Sequence, residues 1–131
     1  MIFIASPYTV PHGTPEERKK IREARYQAAL EHAGSLATQE IQCYSPIVHW
    51  HEVAKTFSLP KENEFWKKFN RKQLLMSRKV HVLTLPGWRS SEGVAWERKE
   101  AAKNNIPVET VDPSLGTVQR QTHLLNDAKP S

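Results

Sequence analysis

Residues 80 to 97, VHVLTLPGWRSSEGVAWE, decide how this chain is read. Val80 to Leu85 has the length and the Val and Leu content of a buried strand. Pro86-Gly87 breaks it, Ser90-Ser91-x-Gly93 follows, and a helical pattern then carries a carboxylate at Glu97. Strand, loop and helix N-terminus in that order bind anions, because the unpaired N–H groups of the first turn and the positive end of the helix dipole attract phosphate. Glu97 falls four residues after Gly93 on one helix face, and helical side chains lean toward the N-terminus. One site there can hold both a phosphate and a nucleophile or base.

The same alternation recurs on both sides of this stretch. Residues 2 to 5, IFIA, read as a short buried strand ended by Ser6-Pro7. Thr14-Pro15-Glu16-Glu17 combines a threonine cap, proline at the first helical position and glutamate three residues after the cap. The spacing predicts a helix to about Ala37, with Ile21, Ala24, Ala28 and Leu36 as its apolar stripe. Ile41 to Tyr44 reads as a second strand stopped at Ser45-Pro46, followed by a loop carrying His49, Trp50 and His51. An aromatic helix is expected from about Asn63 to Ser77 with Phe65, Phe69 and Met76 along one side, another over 92–105, and a fourth strand from Pro107 to Val111.

Strands alternating with helices predict an α/β fold: a single Rossmann-like (flavodoxin-like) domain, its parallel sheet of about four or five strands flanked by helices and joined by right-handed crossovers. That domain is expected over 1–113. Residues 114–131, with only a weak helical period from Val118 to Leu125, read as a C-terminal arm or tail. In such a sheet, ligands sit beyond the carboxyl ends of the strands near the point where strand order reverses. Residues 6–12, 45–51 and 86–91 should therefore converge.

The 131 residues, 38% of them hydrophobic, suit one compact domain, and the net charge of +5 favours anionic partners. Basic clusters run from Arg18 to Arg25 and from Lys67 to Lys79, which solvated helix faces also explain. No apolar run approaches the roughly 18 residues of a membrane span and no basic leader precedes the first strand, so a cytoplasmic protein without a membrane partner is expected. The single cysteine, Cys43, has no partner for a disulfide and reads as a small buried hydrophobe. His49-x-His51 has no third ligand spaced to complete a metal site, so neither metal nor other cofactor is expected. His32 reads as a core-edge residue and His49 as a polar pocket residue or a structural one. The four tryptophans read mostly as core or interface, with Trp88 placed to pack on a base. Phe65-Trp66-Lys67-Lys68-Phe69 interleaves aromatics with charge, as nucleic-acid binders do, yet Phe65 and Phe69 share one face, which a core explains better.

Several of these residues, in this order, resemble the nucleoside 2-deoxyribosyltransferase superfamily over nearly the whole chain to about Pro113. Ile2 to Tyr8, IFIASPY, resembles its opening strand and loop; Ser45-Pro46-Ile47-x-His49 its segment after the second strand; and Phe65-Trp66 the start of the helix crossing its site. Leu85-Pro86-Gly87-Trp88 followed by Ser91-x-Gly93-x-x-x-Glu97 is the most specific part. It is similar to the branch that hydrolyses 2'-deoxynucleoside 5'-monophosphates, and the SPY and LPGW signatures resemble a subgroup often carried by phages. The resemblance implies a glutamate nucleophile, Glu97, attacking C1' of the sugar to form a glycosyl ester that water cleaves. It implies that Ser91 and the Gly93 N–H hold the 5'-phosphate, that Ser6 and Tyr8 contact sugar and base, and that the protein is a homo-oligomer, with Gln119 to His123 a candidate to complete a neighbour's pocket.

The chain departs from that pattern at two positions where the family carries aspartates. Asn70 stands in place of the acid that assists the leaving base, and an amide cannot give up a proton as an acid does. Arg78 stands in place of a second. General acid assistance contributes about 10²- to 10⁴-fold. Two functions remain open on these residues: hydrolysis of (2'-deoxy)nucleoside 5'-monophosphates, or transfer to another base, with Glu97 as nucleophile; and noncatalytic nucleotide binding. Nucleic acid is not the expected ligand.

Overall fold

Four short apolar runs enter one sheet: β1 (Ile2–Ala5), β2 (Cys43–Tyr44), β3 (Lys79–Leu83) and β4 (Val108–Val111). The computed structural model describes residues 1–60 and 63–113. Between the strands lie α1 (Pro15–Thr38), α2 (Pro46–Phe57), α3 (Asn63–Leu75) and α4 (Glu92–Lys103), with a 3-10 turn at Trp88–Ser90. All pairings are parallel and the order is β2-β1-β3-β4, with Phe3 opposite both Tyr44 and Val80, and Val80 opposite Val108. The expected α/β architecture is the observed one. The expected arm, its helical period and Gln119 to His123 lie outside the described residues.

The chain steps from β1 outward to β2, crosses back over β1 to β3, and continues to β4. Connections of one hand then put α1 on one face and α3 and α4 on the other, with α2 packed beside α1. The core is divided accordingly. Ile2, Ile4 and Leu83 pack with Ala29 and Leu36 of α1, while Phe3, Ala5, Val80 and Val82 pack with Leu74 of α3 and with Val94 and Ala101 of α4.

Helix α1 starts as the sequence predicts. Thr14 N–H donates to Glu17 Oε1 (2.8 Å) and Glu17 N–H to Thr14 Oγ1 (3.1 Å), a complete capping box behind Pro15. Its buried stripe differs from the expected one. Ala29, His32 and Leu36 face the sheet, Ala28 is half-buried, Ala24 is exposed and Ile21 is 41% exposed. A polar residue tolerates the inner position because His32 Nε2 lies 3.0 Å from His81 Nδ1 on β3. Burial pushes the His81 imidazole below its ordinary range, and Glu109 beside it works in the opposite direction.

The segment expected to be a loop around His49 is helical. Ser45 caps α2, accepting from Val48 N–H at 3.1 Å, with Pro46 at the first helical position. Ser45-Pro46 thus ends β2 and starts α2 together, the same cap-then-proline signal as at Thr14-Pro15.

Helix α3 lies where expected but is rotated. It turns Asn70 and Leu74 inward and leaves Phe69 40% exposed; just beyond its end Met76 is 63% exposed and Ser77 is buried. The two buried polar groups have partners, since Tyr44 donates to Asn70 and Ser77 Oγ donates to Gln73 O at 2.8 Å. Phe65 and Phe69 instead join Trp50 and Trp66 in an aromatic cluster, centroids 4.9 to 5.8 Å apart. Among the described residues no helix is long and apolar enough to cross a membrane.

Candidate functional site

β1 and β3 are neighbours at the centre of the sheet, and the chain leaves their carboxyl ends toward opposite faces. The crevice between those two exits is the ligand position of this topology. Arg25 of α1 spans it. Its Nη1 donates to Thr9 O and its Nη2 to Pro86 O, both at 2.9 Å, so one guanidinium pins the loop after β1 to the loop after β3. Gly87 has φ +90°, and a Cβ there would stand 2.9 Å from Arg25 Nη2, so glycine serves both the turn and the close approach. Sequence reasoning placed Arg25 among solvated charges. Its position four residues before Ala29 is the signal, and only the correct stripe reveals it.

Glu97 sits on the inner face of α4, three residues after Val94 and four before Ala101, all three buried. No group among the described residues hydrogen-bonds its carboxyl. Burial pushes that carboxyl up from 4.5 to about 8, so at neutral pH it is mostly protonated in the free protein. Tyr44, at the end of β2, is the neighbour that feels its charge: burial raises the Tyr44 phenol, a hydrogen bond from Trp50 lowers it, and Glu97 raises it further. Trp50 Nε1 of α2 donates to Tyr44 Oη at 3.0 Å, and Tyr44 donates to Asn70 Oδ1 of α3 at 3.3 Å. Trp50 and Tyr44 had no assigned role in the sequence.

Ser91 is the N-cap of α4, accepting from Val94 N–H at 3.3 Å, and Gly93 is the second residue of that helix. The cap leaves the Ser91 proton and the Gly93 N–H facing outward for an anion. Trp88 packs against the core cluster that includes Phe3 and Val94, and the guanidinium carbons of Arg89 and Arg98 lie 4.8 and 5.4 Å from its ring centroid. The ring is therefore not bare for a base, since two cations already stand over it. A shallow open depression of about 350 Å³ is lined by residues Thr84 to Ser90; it borders the cap and does not include Glu97.

Ser6, at the end of β1, has a buried hydroxyl with no hydrogen-bond partner among the described residues. Tyr8 turns toward the other side. Its hydroxyl is 2.6 Å from His51 Nδ1 in the seam between α1 and α2, with Tyr26 stacked on the imidazole at 4.1 Å and Glu23 Oε1 3.3 Å from Nε2. His49, expected in the pocket, is exposed on α2 and packs its ring against Tyr44 (5.4 Å) and Trp50 (4.7 Å). The buried histidine of the pair is His51. Among the described residues no group of His, Cys, Asp and Glu is arranged to hold a metal ion. Arg78 precedes β3, where its N–H bonds to Met1 O, at the amino end of the sheet and away from the crevice.

The structure is thus a parallel α/β domain that buries an unbonded carboxyl on the helix whose capped N-terminus lies at the strand-order switch. The chain belongs to the family described as a domain of unknown function, DUF1937, which it matches over residues 1–112. No curated protein matches it.

Proposed function

We propose that the protein is an N-glycosidase acting on (2'-deoxy)nucleoside 5'-monophosphates, with Glu97 as nucleophile and free base and sugar 5-phosphate as products. The observation that carries this reading is the Glu97 carboxyl, buried on the sheet side of α4 without a hydrogen-bond partner among the described residues. Such burial is costly for a group whose only task is folding. Ser91 lies six residues earlier, about 9 Å along the helix, and the Glu97 side chain leans back toward it. A nucleotide phosphate on the cap would bring its sugar toward the carboxyl. The positive charge that develops at C1' in an oxocarbenium-like transition state favours the ionised carboxylate, which then forms the glycosyl ester. Arg89, Arg98 and the net charge of +5 favour an anionic substrate.

A second reading, a nucleotide-binding protein without turnover, is supported by Asn70, a buried amide bonded to Tyr44 at the sequence position where the resemblance expects an acid to assist the leaving base. Chromatography of deoxy- and ribonucleoside 5'-monophosphates after incubation with the native protein and with Glu97→Gln separates the two. Free base with the native protein alone is the expected result. Tight calorimetric binding with every nucleotide recovered intact would favour the second reading.

A further inference from the structure

We infer that Asn70 donates a hydrogen bond to the departing base, held in that role by Tyr44 and Trp50, and that the site acts on nucleotides whose base leaves without being protonated. The inference rests on the hydrolase reading above.

The orientation of the amide follows from the donors around it. The Trp50 indole can only donate, and it donates to Tyr44 Oη at 3.0 Å. The Tyr44 proton then needs an acceptor, and Asn70 Oδ1 stands 3.3 Å away. With its carbonyl committed, Asn70 is left with its NH₂ group, which has no partner among the described residues and is not sealed from solvent, although the residue as a whole is only 7% exposed. That group is a pair of donors open to an acceptor on a bound ligand. Asn70 lies one turn before Leu74, and Glu97 one turn from both Val94 and Ala101; those three share one core cluster against which Tyr44 packs, so amide and nucleophile lie on the same side of the sheet.

An amide stabilises negative charge by hydrogen bonding and transfers no proton. In the step it assists, the C1'–N bond breaks with its electron pair staying on the base while a Glu97 oxygen bonds to C1'. The base departs as an anion, its charge shared with an acceptor next to the glycosidic nitrogen, a pyrimidine O2 or a purine N3, that receives the Asn70 hydrogen bond. It takes a proton from water after release. Bases that leave as stable anions, or leave neutral because the nucleotide base was cationic, are the favoured substrates. Asn70 touches the substrate; Tyr44 and Trp50 are positioning residues.

The test is the dependence of kcat/KM on the leaving base. 2'-Deoxyuridine 5'-monophosphates carrying hydrogen, bromine or a nitro group at C5 form one series; the guanine and 7-methylguanine nucleotides form another. The expected result is a rate that climbs at least tenfold between the ends of each series that turns over. Asn70→Asp, isosteric and able to act as an acid, should reduce that spread at least tenfold by accelerating the poorest leaving groups. Tyr44→Phe, which frees the amide, should lower kcat about tenfold with little change in KM and leave the spread at least as steep. Base released at rates indifferent to the leaving group, or a spread unmoved by Asn70→Asp, would overturn this inference alone. No base from any nucleotide would overturn the hydrolase reading and this inference with it.

Discussion

On the α1 side of the sheet, His51 is wedged between Tyr8 and Tyr26 with the Glu23 carboxylate 3.3 Å from its Nε2. On the α3 and α4 side, Glu97 is buried to a similar degree, 8% exposed against 5% for His51, and no hydrogen bond reaches it among the described residues. Both are ionisable side chains inside helical seams, yet the histidine has a hydrogen bond at Nδ1 and a carboxylate near Nε2, although not aligned to hydrogen-bond it, and the glutamate has neither. A polar group with complementary neighbours supports the packing of its seam; one that lacks them lowers stability when ionised and is available to a ligand. The comparison teaches where function should be sought in this molecule, and four measurements break or sharpen it.

The largest effect is expected at the unbonded group. Glu97→Gln should remove turnover by on the order of 10⁴-fold or more, read as free base by chromatography, while the variant folds normally. If the variant kept native turnover, the glutamate would be as structural as the histidine.

The second measurement is pH. The ionised carboxylate is the nucleophile, and its value of about 8 makes kcat/KM rise about tenfold per unit through neutral pH and level off above pH 8. Stability runs the other way. The folded-state value lies above the ordinary 4.5, so the folded protein holds the proton more tightly than the unfolded chain does, and this contribution is complete below about pH 4.5 and is lost as pH rises through 8. Thermal melts should therefore show Glu97→Gln more stable than the native protein at pH 9, by on the order of 5 kcal/mol, and no different near pH 4. Equal melting at both pH values would mean that Glu97 is not held as the buried acid described.

Third, His51→Leu removes a buried hydrogen-bonding partner from the α1 and α2 seam and leaves the Tyr8 hydroxyl without its acceptor. A loss of about 2 to 3 kcal/mol in denaturant unfolding is expected, with turnover per folded molecule within about threefold of native. A collapse of kcat in well-folded His51→Leu would move the reactive chemistry to the α1 side.

The smallest effect is expected outside both clusters. Met76→Ser, at a position 63% exposed, should change stability by no more than about 0.5 kcal/mol. A loss of about 2 kcal/mol or more would restore the inward α3 face that periodicity suggested.

Legibility differed from element to element for physical reasons. The strands and α1 were readable because apolar runs bounded by Pro and Gly, and a capping box, are local signals. The α2 helix was missed although Ser45-Pro46 carries the same local signal as Thr14-Pro15, because that dipeptide was taken only as the end of β2. The α3 face was misread because Phe65 and Phe69 look like core, while the structure keeps Asn70 inward by giving it Tyr44 and gathers the aromatics around Trp50 and Trp66. Within the site, Glu97, Ser91 and Gly93 were visible as a single helical spacing. Tyr44, Trp50 and Arg25 were not, since each acts through a residue 16 to 61 positions away or on another element.

The sequence by itself determined the alternation of strand and helix, the parallel sheet, the capped entry to α4 and the position of Glu97 four residues past Gly93, because each depends on neighbours within a few residues. Only the tertiary structure decided that Glu97 has no hydrogen-bond partner among the described residues, that His51 rather than His49 is buried, and that Arg25 joins the two crevice loops. Those are matters of which surfaces meet across the sheet and between helices. They depend on helix rotation and strand order, which local periodicity leaves open when two stripes of a helix are comparably apolar.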